Sequence, residues 1–190
     1  FESRNGNRQE TANRQTIVWA YTPFAHMPDD DTLMENLPAM LAQARTARSF
    51  APAATLKIAL ASLDSPYGRP APDARNQGLI AGAWATALMK YAALGGVQEV
   101  GFNVAAGFPQ TLRDDLNRWA GATVLTADIP FVGRPTVEVL AAEKDGVRTA
   151  WLINLTQQPQ TVLLNTGKAE INVELSPFEV SRTRDCDARE

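Results

Sequence analysis

Thr16-Ile-Val-Trp-Ala-Tyr21, Leu56-Lys-Ile-Ala-Leu-Ala61 and Val97-Gln-Glu-Val-Gly-Phe102 are three short runs of apolar, β-branched and aromatic residues. Each is followed by a loop and then by a longer segment with helical periodicity. Runs of this length and composition read as buried strands. Thr32 to Arg48 places Leu33, Leu37, Met40, Leu41 and Ala44 on one helical face. Asp31 is a fair N-cap for it, Pro38 implies a kink or a late start, and Arg45 and Arg48 suit the C-terminal end of the dipole. Ala74 to Leu94, opened by Asp73, carries Ile80, Trp84, Leu88, Tyr91 and Leu94 at core spacing and ends at Gly95-Gly96. Gly78 and Gly82, four apart, admit the close approach of another backbone. Gln110 to Ala120 buries Leu112, Leu116 and Trp119 before Gly121. Strand and helix therefore alternate three times between Thr16 and Gly121. That alternation predicts a parallel sheet with right-handed crossovers. The near-continuous apolar strands predict a sheet covered on both faces.

Beyond Gly121 the pattern changes. Thr136 to Ala142 and Val147 to Leu155 flank Asp145-Gly146, a strong hairpin signal. Thr161 to Leu164, Glu170 to Leu175 and Glu179 to Thr183 follow, separated by Pro159, Gly167 and Pro177. Five short strands with tight turns predict a small antiparallel β-sandwich. The expected fold class is thus α/β plus all-β, with residues 1–125 forming βα units and residues 126–190 a β domain.

Composition excludes several classes. The 190 residues are 45% hydrophobic and 21% charged, which is ordinary globular usage. A formal net charge of -3 gives no electrostatic footprint for nucleic acid or an anionic membrane surface. No uncharged apolar run reaches the about 18 residues a bilayer span requires. Cys186 and His26 are the only residues of their kinds, so neither an internal disulfide nor the usual zinc ligand sets can form, and no metal or other cofactor is expected. A carboxylate-only magnesium or calcium site stays open. Cys186 lies in a charged tail and reads as an inert thiol. The chain begins at Phe1, and its first fifteen residues are mostly polar, without signal-peptide architecture. They read as a chain cut at its N-terminus, with a processed protein as the alternative. A cytoplasmic location is expected.

In parallel α/β sheets, ligands bind outside the C-terminal ends of the strands. Three loops qualify: Thr22 to Asp31, Ser62 to Asp73 and Asn103 to Pro109. His26 is the leading catalytic candidate, as a general base or substrate donor, and otherwise anchors its loop by one hydrogen bond. Asp64, Tyr67, Arg69, Asp73 and Asn103 are the candidate substrate-binding groups. Arg69 suits a carboxylate, and Asn103 either donates into a pocket or closes a turn. Asp29-Asp30-Asp31 reads as a helix cap rather than an acid/base cluster, and Trp84 and Tyr91 as core. Asn154-Leu-Thr156 matches a glycosylation sequon and reads as chance. No Gly-rich phosphate loop or nucleophile elbow is present.

The motif order resembles the C-terminal part of the D-apionate lactonase family. The resemblance is carried by Asn5 to Arg8, Thr22-Pro-Phe-Ala-His-Met-Pro-Asp-Asp30, Leu33 to Leu37, Arg45 to Arg48, Pro72 to Leu79 and Ala83-Trp84. It continues through Leu112 to Leu125, matched to the last barrel helix, and through Leu152 to Thr156, Pro159-Gln160 and Leu175 to Val180. It implies a glycosidase-like (β/α)8-type barrel, here partial with about three βα units, followed by a small β domain. It implies a hydrolase acting on a small-molecule sugar acid or lactone, with further N-terminal barrel strands in the parent protein. His26, Asp73, Arg75 and Gln77 match the family and are expected to line or shape the pocket. Ser3 and Val104 stand where the resemblance implies two Glu residues, with Glu2 one step from the first. Barrel hydrolases commonly use two strand-end carboxylates. The departures therefore leave a second reading, a non-catalytic carbohydrate-binding or structural segment.

Overall fold

The computed structural model describes residues 14–23, 29–64, 72–103, 107–129 and 133–183. The chain divides into two compact units, residues 1–73 with 88–104, and residues 74–87 with 105–190.

The first unit is built on three parallel strands, β1 (Thr16–Tyr21), β2 (Thr55–Ala61) and β3 (Val97–Phe102), in that spatial order. Burial along β1 alternates strictly. Ile17, Trp19 and Tyr21 are buried, while Thr16, Val18 and Ala20 are exposed. The buried face carries helices. Trp19 Nε1 donates to Gln43 Oε1 at 3.1 Å, and Gln43 lies on a helix after the first strand. The opposite face presents Val18, Lys57 and Glu99, aligned across the three strands, with Lys57 Nζ 2.6 Å from Glu99. Val18 and Leu60 keep 42% and 44% of their surface. The expectation of a sheet covered on both faces is therefore corrected. Apolar composition shows that a strand has a packed face, and only the pleat shows that the second face is open.

The segment expected as one helix from Thr32 is two, α1 (Asp30–Glu35) and α2 (Ala39–Phe50). Pro38 has no N–H to continue the ladder, so the helix ends at Asn36 and restarts after Pro38. The cap is Asp29 rather than Asp31. Asp29 has the extended backbone a cap requires (φ -74°, ψ 160°), whereas Asp31 already lies in the first turn. Leu33, Leu37, Met40 and Ala44 are buried as expected, and Leu41 is half-buried. Arg48 in the last turn of α2 does more than oppose the dipole. Its guanidinium donates to the carbonyls of Pro52 (3.1 Å), Ala54 and Gly96 (2.9 Å), tying the turn before β2 to the turn before β3.

The boundary between the units falls within α3 (Leu79–Leu94). The expected helix from Ala74 is in fact a 3₁₀ turn, Ala74–Gln77, then α3 after Gly78. Ile80, Trp84 and Leu88 are buried, while Tyr91 is half-buried and Leu94 keeps 39% of its surface, so Leu94 is not core.

The second unit contains α4 (Gln110–Arg118) and six strands: β4 (Thr123–Leu125), β5 (Val137–Lys144), β6 (Val147–Asn154), β7 (Gln160–Asn165), β8 (Glu170–Leu175) and β9 (Val180–Thr183). They form an antiparallel sheet in the order β4-β5-β6-β9 and a β7-β8 hairpin. Strand β4, in the stretch matched to the last barrel helix, pairs with β5. The Asp145-Gly146 turn has φ of 52° and 77°, the double positive φ of a type I′ turn. Val139, Ala150, Leu152 and Leu175 form a buried cluster, with Val162, Leu164 and Val173 packed against it. Trp151, on the neighbouring pleat of β6, packs edge-on against Trp119, with ring centroids 5.8 Å apart and planes at 88°. Strand β6 is thus buried from Thr149 to Asn154.

The start of α3 is met by backbone at Gly82, as predicted, while a Cβ on Gly78 would make only ordinary contacts with its own segment. A Cβ on Gly82 would lie 3.0 Å from the Gly107 carbonyl oxygen. Gly107 itself leaves no room, since a Cβ there would lie 2.4 Å from the Gly78 oxygen and 2.6 Å from the Asn76 oxygen. The Gly107 N–H donates to Asn76 O at 2.6 Å.

Candidate functional site

The parallel ladder continues one step past each strand. Ser62 N–H donates to Tyr21 O at 3.1 Å, and Asn103 N–H donates to Ala61 O at 2.9 Å. These bonds bring the residues after β1, β2 and β3 side by side at one edge of the sheet, the place where α/β proteins assemble their sites.

Asp64 is the hub. Its Oδ1 accepts the Asp73 N–H at 2.8 Å. Its Oδ2 accepts from Ser62 Oγ and from Asn103 Nδ2, each at 3.2 Å. Its own N–H donates to Ser62 Oγ at 3.0 Å, which closes the Ser-x-Asp turn. An ionised carboxylate accepts only, so this arrangement is satisfied by donors on both oxygens. Three of the sequence candidates, Asp64, Asp73 and Asn103, are therefore gathered by one carboxylate. Asn103 is exposed, Asp64 and Asp73 are half-buried, and Ser62 beneath them is buried. His26, Tyr67 and Arg69 lie outside the described residues, as do Ser3, Val104 and Cys186.

The root of the first loop is anchored by groups that sequence reading placed only as strand and helix residues. Tyr21 Oη donates to Asn36 O at 2.9 Å, and Asn36 Nδ2 donates to Pro23 O at 2.9 Å. Burial pushes the Tyr21 phenol well above its ordinary value. Asp29, where that loop enters α1, accepts the Thr32 N–H and the Thr32 hydroxyl, each at 2.8 Å. The Thr32 backbone bond first and its hydroxyl second hold the Asp29 carboxyl below the usual range. Asp29 is thus a cap, as the acidic run implied. Ser62 was missed altogether. The Ser-x-Asp spacing after an apolar strand was the available signal, because it is a turn-closing pattern.

The second unit has an open cleft of about 700 Å³, lined by apolar residues such as Ile129, Val137, Val162 and Leu164 and by polar ones that include Asp128, Arg148, Gln160 and Asn165. Its apolar lining continues the sandwich core, and Arg148 is paired there with Glu143 at 2.6 Å. The Asn154 sequon is no glycan acceptor. Asn154 is fully buried, its Nδ2 donates to Gln158 O (2.7 Å) and Ser176 O (2.9 Å), and its Oδ1 accepts from the Thr156 N–H and hydroxyl (both 2.9 Å). Among the described residues, no group of three or more His, Cys, Asp or Glu side chains could hold a metal ion, and no helix is long and apolar enough to cross a membrane.

A family model described as D-apionate lactonase, TIM barrel domain, matches residues 1–141. A second, described as D-apionate lactonase, C-terminal immunoglobulin-like domain, matches residues 135–183. A comparison with curated proteins found no match.

Proposed function

The chain belongs to the D-apionate lactonase family, and from that premise we propose that its three strand ends contribute to a pocket in which a sugar-acid lactone is hydrolysed. The observation that carries this reading is the Ser62, Asp64, Asp73 and Asn103 network at the C-terminal ends of parallel strands. In this reading residues 1–125 supply about three βα units of a barrel, and residues 126–190 form the β domain.

Lactone opening adds water to the ring carbonyl, passes through a tetrahedral oxyanion and expels the ring oxygen as an alkoxide that must be protonated. The chain's part is to move a proton and to hold the polyhydroxylated ring. His26 is the proton-transfer group in this scheme, Tyr67, Arg69 and Asn103 contact the substrate, and Asp64 and Asp73 form the network that supports Asn103. The test is hydrolysis of D-apionolactone and related aldonolactones by the protein and by His26→Ala. We expect turnover well above background and its loss in the variant. No turnover, or an unchanged rate in His26→Ala, sinks the scheme. Ser3 and Val104, standing where Glu residues were expected, favour a second reading, in which the same pocket binds a sugar acid without turnover. Calorimetry showing binding with no hydrolysis would select it.

A further inference from the structure

We propose that Asp64 is a positioning residue that turns the Asn103 amide, so that Asn103 Oδ1 is presented as a hydrogen-bond acceptor for a hydroxyl of the substrate. The inference rests on the lactone-pocket reading and names how that pocket distinguishes its ligand.

The orientation of an amide is often ambiguous, but here chemistry decides it. Asp64 Oδ2 can only accept, so the Asn103 atom 3.2 Å from it must be Nδ2. The Asn103 carbonyl then points away from Asp64. Its backbone is fixed as well, because its N–H donates to Ala61 O at 2.9 Å. Asp64 in turn cannot swing. The Asp73 N–H holds one oxygen, the Ser62 hydroxyl holds the other, and the Ser62 turn holds its backbone. One of the two Asn103 N–H groups is thus committed to Asp64. Asn103 therefore presents an acceptor with one remaining donor, on an exposed side chain at the strand-end edge. Such a group favours a hydroxyl, which can donate to Oδ1, over an ether, whose oxygen can only accept.

The experiment uses the full chain with D-apionolactone and its mono-O-methyl ethers. The wild type should reject one ether by about tenfold or more in kcat/KM. Asn103→Ala should abolish that rejection and raise KM for the parent lactone by about tenfold, leaving kcat within about threefold. Asp64→Ala should do the same with Asn103 intact, and Asp64→Asn, whose carbonyl can still accept from Asn103, should restore part of the discrimination. An independent readout is the Asn103 side-chain amide in ¹⁵N-labelled protein. Its two protons should be well separated in the wild type and draw together in Asp64→Ala. Ether rejection that survives in Asn103→Ala, or amide protons unmoved in Asp64→Ala, overturns the proposal. If the wild type neither binds nor hydrolyses any lactone, the lactone reading fails and the substrate half of the proposal fails with it. The amide signal still decides the orientation.

Discussion

Arg182→Ala should lower the stability of the second unit by about 3 kcal/mol, the sum of a charge-assisted bond and partial ring contacts. Arg182 on β9 sits over two tryptophans. Its guanidinium carbon lies 5.3 Å from the Trp119 ring centre and 5.5 Å from that of Trp151. Its Nε donates to Thr149 Oγ1 at 3.0 Å, and its Nη1 pairs with Asp115 on α4. Asp115 also accepts the Trp151 Nε1–H at 3.0 Å. The two side chains retain only 22% and 19% of their exposure, so this is not a solvated surface pair of negligible worth. A hydrogen bond to a charged group contributes about 1.5–3 kcal/mol. Each cation–π contact adds about 0.5–1 kcal/mol, and the two share one cation, so they do not simply add. Arg182→Lys keeps the charge but loses the planar fork, and should cost about half as much. Urea unfolding of Arg182→Ala, Asp115→Ala and the double variant, followed by tryptophan fluorescence, gives the coupling energy. We expect about 1.5–2 kcal/mol. A coupling below about 0.5 kcal/mol, the value for an exposed pair, refutes the reasoning.

Three further outcomes follow from the same geometry. Asn154→Ala strands the buried partners of one amide and should cost about 2–4 kcal/mol in denaturant titration, whereas a loss under about 1 kcal/mol would show that water replaces them. Gly107→Ala drives a methyl into the Gly78 and Asn76 carbonyls and should cost about 2–3 kcal/mol; an unchanged melting temperature contradicts the close approach. The Tyr21 phenol has a raised value in the folded chain, so its stabilisation is complete below the ordinary tyrosine pKa of about 10 and is lost as pH rises above it. An ultraviolet titration should show one of the three tyrosines ionising only as the chain unfolds. Ionisation of all three near the ordinary value in folded protein would refute its burial.

Much of the element order was legible because it rests on periodicity. Thr16–Tyr21 and Glu170–Leu175 are strands with the bounds their apolar patterns predicted, and Asp145-Gly146 turns the hairpin it predicted. The helix edges were less legible. Asp29, Asp30 and Asp31 are all plausible caps, and the choice among them depends on which residue has extended backbone. Thr123–Leu125 is too short to show a period, and it is a strand only because β5 lies beside it. At the candidate site, the strand ends pointed to Asp64, Asp73 and Asn103, but not to the bonds among them. Ser62 was legible only through its spacing to Asp64, the Ser-x-Asp pattern of a closed turn.

By itself, the order of apolar runs determined three parallel βα steps followed by antiparallel strands, because side-chain burial imposes periods of 2 and 3.6 on any chain that folds this way. The tertiary structure alone decided which face of the sheet is open, where Pro38 parts the helix, and that the Asn154 sequon is a buried clasp. It alone turned three scattered polar residues into one network around Asp64. Those outcomes depend on distances between residues far apart in the chain, and a linear pattern does not contain such distances.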